Sequence, residues 1–160
     1  AALSPYNAMA ISPDGSLFIN EEFRIRKVGP DGIITTIAGT PPGSPFLVPA
    51  ADGDLAAGNS IGDVEGLAVA ADGSLLIADR SLQRIGGDGV LSTVAGRGAS
   101  MLFVGGFGGD DGPATAAELD YPSAVAQSPD GALYLLDSAN GSVRRVELAL
   151  PDFDMDEVLI

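Results

Sequence analysis

Three segments of the chain repeat at a fixed interval, and a chain built from such copies has few folds open to it. AMAISPDGSLFI starts at Ala8, GLAVAADGSLLI at Gly66 and SAVAQSPDGALYLL at Ser123. Their Asp-Gly pairs, Asp14-Gly15, Asp72-Gly73 and Asp130-Gly131, are evenly spaced: the step from the first to the second equals the step from the second to the third. A second landmark keeps the same period to within one position: ITTIAGT and LSTVAGR place Gly39 and Gly96 at corresponding points of two copies. Asp-Gly between apolar runs is a hairpin signal, because glycine takes positive φ at little cost. The first copy reads as strands over 8–12, 17–20, 24–28 and 33–38. The second reads as strands over 66–70, 75–78, 83–85 and 90–95. The third gives 123–127, 133–136 and 143–146, and its fourth strand, over 147–150, is cut off by Pro151.

A four-stranded antiparallel sheet with two apolar faces cannot bury both alone. It must stack on its neighbours, and radial stacking of such sheets makes a β-propeller. The expected fold is therefore all-β, with about three blades present, as a partial ring or one completed by oligomerisation. The unit boundaries fall at 1–63 for blade 1 with its long loop, 64–120 for blade 2 with its loop and 121–150 for an incomplete blade 3. Residues 151–160 follow as an acidic linker or the start of a further strand. The inter-blade connections over 40–63 and 97–120 are long and equal in length, and long loops on a rigid scaffold are a usual place for function. Within them, 55–57 and 114–119 each suggest one helical turn, the second opened by Pro113.

Composition removes several functions. Eight basic residues against 22 acidic ones give a net charge of −14, so phosphate backbones and anionic lipid are repelled. No apolar run approaches the length of a membrane-spanning helix. Neither nucleic acid nor membrane insertion is expected. The absence of cysteine excludes disulfides and thiolate metal sites, and the absence of histidine removes the commonest general base and zinc ligand. The chain begins without Met or a signal-like n-region, which reads as a processed or cut start.

Candidate sites divide by whether they recur. Asp79 and Asp137 follow the second strand, where Glu21 stands in the first copy. Arg84 and Arg144 enter the third strand, as Arg24 and Arg26 do in the first copy. Recurrence points to structural acid/Arg pairs, Asp79 with Arg84 and Asp137 with Arg144. Asp52-Gly53-Asp54 and Asp110-Asp111-Gly112 occupy corresponding loops. Their carboxylates on glycine turns read either as Ca²⁺ ligands or as Asx-type turns. Asp152, Asp154 and Asp156 alternate like the opening of an EF-hand loop, but Glu157 stands where that loop requires glycine. The glycine-rich run 105–109 precedes no helix and so does not read as a phosphate cradle. Met101, Phe103 and Phe107 around it pack locally or form a partner-contact patch.

The runs FGGDDGPATAAELDYPSAV, PDGALYLLD and SVRRV, with IRKVGPDGIITTIAG from the first copy, resemble the NHL-repeat family. The long loops and the tail RRVELALPDFDMDEVLI are most similar to the NHL segment of teneurin-like YD-repeat (Rhs-type) proteins. The resemblance implies propeller blades, commonly six to a ring, that act as scaffolds or binding modules. Two full blades and most of a third depart from that count, so the ring needs the remainder of a longer polypeptide or a second copy. The expected function is a non-catalytic scaffold or protein- or glycan-binding segment of a larger secreted or cell-surface bacterial protein, without a resident cofactor. Two alternatives stand beside it: part of a six-bladed Ca²⁺-dependent lactonase or lyase with its site on other blades, and a three-blade homodimeric propeller. The expectation is that the chain is not an enzyme.

Overall fold

Each repeated Asp-Gly pair lies at the tip of a hairpin. Gly15, Gly73 and Gly131 adopt φ of 84°, 82° and 92°, the left-handed region where a Cβ would be strained. The preceding aspartate locks each turn from the side: Ser16 N–H donates to Asp14 Oδ1 at 2.9 Å and Ser74 N–H to Asp72 Oδ1 at 3.0 Å. The hydroxyls of Ser12 and Ser16 also bond Asp14. These bonds favour the carboxylate, and the Ser12 and Ser16 donors hold Asp14 down at about 2.

The computed structural model describes residues 8–21, 23–41, 50–97 and 105–147. β1 (Met9–Ile11), β2 (Leu17–Glu21), β3 (Arg24–Val28) and β4 (Ile34–Gly39) form one antiparallel meander. β5 (Gly66–Val69), β6 (Leu75–Ala78), β7 (Leu82–Ile85) and β8 (Leu91–Ala95) form the second. β9 (Pro122–Gln127), β10 (Leu133–Asp137) and β11 (Ser142–Val146) form a three-stranded third sheet, with β9 and β11 at its edges. The fourth strand expected over 147–150 is not formed at Glu147, and 148–150 lie outside the described residues.

Burial shows how the sheets stack. All four residues of β6 are buried. Leu75 and Ile77 pack into a core with Phe18 and Ile25 of the first sheet, and Leu76 and Ala78 into a second core with Leu133 and Leu135 of the third. Side chains alternate across a strand, so the middle sheet is sealed on both faces. The outer sheets are sealed on one. β10 alternates strictly, and its outward face shows Tyr134, Leu136 and, from β11, Val143. The first sheet shows Met9, Ile11 and Ile34. The first strands of successive sheets approach closely: a Cβ on Gly66 of β5 would lie 2.6 Å from the Ser123 carbonyl oxygen of β9.

The two long loops are built differently. Residues 51–56 run along the free edge of β8. Gly53 N–H donates to the Leu91 carbonyl, Leu91 N–H to that of Asp54 and Ala56 N–H to that of Gly89, each at 2.9 Å. The helical turn expected over 55–57 is thus replaced by edge pairing, with bridges Leu55↔Val90 and Gly39↔Ala57. In the second loop Ala114–Ala116 do form a 3-10 turn with Pro113 at its N-cap.

Candidate functional site

A cleft of about 970 Å³ opens between the second and third sheets. One wall is the loop 109–115, the other is the end of β11 with Arg144 and Arg145, and Ala95, Ala117 and Leu119 lie at its base. Arg144 holds the cleft in shape. Its side chain is 10% exposed and pairs with Asp110 at 2.7 Å and with fully buried Asp137 at 3.5 Å. It also donates to the carbonyls of Gly108 at 3.1 Å and Glu118 at 3.2 Å, and its guanidinium stacks 5.3 Å from the Phe107 ring centre. Asp137 accepts from Asp120 N–H at 2.6 Å and from Asn140 at 2.8 Å, and Asn140 donates in turn to the Gly106 carbonyl. Asp137, Asn140 and Arg144 thus tie the loop 105–110 to the third sheet. The signal in sequence is a longer turn after Asp137 than after Asp79, which brings in Asn140.

The second acid/Arg pair is corrected. Arg84 bonds Asp72 and Ser74 Oγ, the latter at 2.9 Å, and not Asp79. Register explains it: Ala78 lies opposite Leu82 and Leu76 opposite Arg84, so Arg84 sits two rungs further from Asp79, toward the Asp-Gly turn. The pair that recurs is the turn aspartate with a third-strand base, Asp72 with Arg84 and Asp130 with Arg145 at 3.7 Å. In the first sheet Lys27 takes that place, and its charge acts on Asp14. Glu21 instead pairs with Arg24 at 3.0 Å and Arg26 at 3.3 Å.

Asp79 is left buried without an ion pair among the described residues. Its Oδ1 accepts from Ser81 N–H at 2.9 Å, its Oδ2 has no hydrogen-bond partner, and burial raises its pKa. The loop aspartates serve the backbone. Asp52 Oδ1 accepts from Thr93 N–H at 2.6 Å, and Asp54 Oδ2 from Ala51 N–H at 2.9 Å. Asp110 faces Arg144, and Asp111 adopts φ of 61°. Among the described residues, no three carboxylates converge in a way that could hold a metal ion. Phe107 is exposed beside Arg144, whereas Met101, Phe103, Asp152, Asp154 and Asp156 lie outside the described residues. No helix among the described residues is long and apolar enough to cross a membrane.

Sheets in sequence order, sealed face to face, with their first strands together, define an arc of a β-propeller. No protein-family model matches the chain. It is 29% identical to Teneurin-m of Drosophila melanogaster over 90% of its own length, and it spans 6% of that curated relative. A Bacteroides thetaiotaomicron protein of unknown function superposes with a TM-score of 0.69 at 20% identity, covering 91% of this chain and 36% of the other. A gluconolactonase from Xanthomonas campestris superposes at 0.55 and 15% identity, covering 91% and 45%. At such identities the likeness is one of fold. It still corrects the expectation that the chain is not an enzyme. Missing histidine and repetition do not exclude activity, because this fold also carries a lactonase, and a site assembled from several blades need not be visible in one arc.

Proposed function

We propose that the chain is an arc of an NHL-type propeller within a larger teneurin-like YD-repeat (Rhs-type) protein, secreted or displayed at a bacterial surface. There it presents its inter-blade loops to a protein or glycan partner. One observation carries this reading: the middle sheet is sealed on both faces, while the outer sheets each leave an apolar face open. An arc with two apolar ends is suited to continuing into further blades. The identity to Teneurin-m over 90% of the chain supports the choice of relative. The loop held by Arg144, with Phe107 exposed on it, is the surface best built for a partner.

The test is the solution mass of the chain by size-exclusion chromatography with light scattering. Self-association without a defined stoichiometry, relieved when flanking sequence is restored, is the expected result. A discrete dimer of about 32 kDa, twice the 16.1 kDa of the chain, would overturn the reading in favour of a ring closed by two copies.

A further inference from the structure

The turn between β10 and β11 carries a reactive pair. Of the four asparagines in the chain, Asn7, Asn20, Asn59 and Asn140, only Asn140 is followed by glycine. A backbone nitrogen can attack the carboxamide carbon of the asparagine before it, and a side chain on the attacking residue hinders the approach. Gly141 has none, is exposed, and a Cβ built there would meet nothing within 4 Å. The fold adds a second feature at the same place. Asn140 is half-buried, and its Nδ2 donates to Asp137 Oδ2 and to the Gly106 carbonyl, each at 2.8 Å. Gly141 N–H donates to the Ser138 carbonyl at 3.1 Å. The carboxamide and the nitrogen that would attack it are thus each held by other partners. The second sheet has no counterpart, because its turn from Ala78 to Leu82 is Asp79-Arg80-Ser81.

We propose that Asn140 is a hydrolytic modification site, and that its conversion to an acid frees the Gly106 end of the loop 105–110. The Gly141 nitrogen bonds to Asn140 Cγ, the amide nitrogen leaves as ammonia with the proton that Gly141 gives up, and a cyclic succinimide closes. Water then adds to either ring carbonyl and breaks that carbon's bond to the ring nitrogen, giving aspartate or isoaspartate. The net change is one water taken up and one ammonia released, with no oxidant or reductant. Either product loses both donors. Its carboxylate would face two acceptors, the Gly106 carbonyl and fully buried Asp137, where Asn140 donates now. Acceptors set against acceptors, and like charges at that distance, are unfavourable. Isoaspartate also lengthens the backbone of the turn by one carbon. Arg144 still holds the far end of the loop through Gly108 and Asp110, so the release is local to Gly106 and exposed Phe107.

Mass mapping of the full chain during incubation at neutral pH, native and in guanidinium chloride, tests the reaction. Conversion is counted by the mass change from amide to acid, which isomerisation of the Asp-Gly pairs does not produce. In denaturant Asn140 is expected to convert ahead of Asn7, Asn20 and Asn59. In the native chain its rate is expected to fall at least about tenfold, the protection of its hydrogen bonds. Limited chymotrypsin digestion reads the consequence. Cleavage after Phe107 is expected to be at least about tenfold faster in the converted chain and in Asn140→Asp, while the β6 amides keep their slow hydrogen exchange. The chain converted after folding carries this reading should Asn140→Asp fail to fold. Another asparagine reacting first in denaturant, equal rates with and without it, unchanged cleavage at Phe107, or lost β6 protection in the converted chain would each overturn the proposal.

Discussion

Leu76→Ala tests whether the middle sheet is held from both sides. Leu76 is 1% exposed in the core between the second and third sheets. The substitution removes three carbons, worth about 2.4 kcal/mol at ~0.8 kcal/mol per methylene, and leaves a cavity whose lining can relax only partly. A loss of about 3–4 kcal/mol is expected. Leu136 of β10 supplies the comparison, because it is chemically identical but 41% exposed on the open face. Scaled to its buried fraction and without a cavity, Leu136→Ala should cost about 1.4 kcal/mol. Urea denaturation at neutral pH, read as the change in midpoint at constant slope, gives both values. The reasoning fails if the two losses agree within about 0.5 kcal/mol, or if Leu136→Ala is the larger. Either result would mean that blade stacking does not carry the stability of the arc.

Three further outcomes follow from the same geometry. Gly39→Ala should abolish folding or cost several kcal/mol, because its φ is 87° and a Cβ would lie 2.0 Å from the Phe23 carbonyl oxygen; soluble yield and circular dichroism report it. Asp79→Asn should raise the melting temperature at pH 7, because the native state raises this carboxyl's pKa by burial; its contribution is present below the unfolded value and lost as pH rises through the folded one. Asp14 works in the opposite sense: lowered to about 2 by its serine donors, it contributes above its ordinary value of 3.8 and loses that contribution as pH falls toward 2, so Asp14→Ala should flatten thermal stability across that window.

The turns and strands were legible because they rest on local chemistry. Asp-Gly at a fixed period places each hairpin, whereas LYLL is apolar at both parities and does not reveal that Leu133 and Leu135 rather than Tyr134 and Leu136 face the core. The stacking was legible from the two apolar faces, since LLIA in β6 has no polar side to show to water. What could not be read depended on register and distant partners. Arg84 reaches Asp72 rather than Asp79 because of two rungs of ladder that spacing alone does not reveal. The pairing of 51–56 with β8 joins backbone groups far apart in sequence, with little side-chain pattern to announce it. The network around Arg144 was half legible: Asp137 was visible as its partner, but Asn140 and the carbonyls of Gly108 and Glu118 come together only through the fold.

The close approach at Gly66 bears on the angle between the second and third sheets. Innermost strands set the hub radius, and the thinnest residue there fixes how sharply one blade can turn from the next. Glycine at 66 lets β5 lean onto the Ser123 carbonyl, which keeps the two first strands close together. A bulkier residue would act as a wedge, forcing β5 and β9 apart and opening the angle between their sheets. One absent side chain thus acts as a spacer of zero thickness between two neighbouring blades.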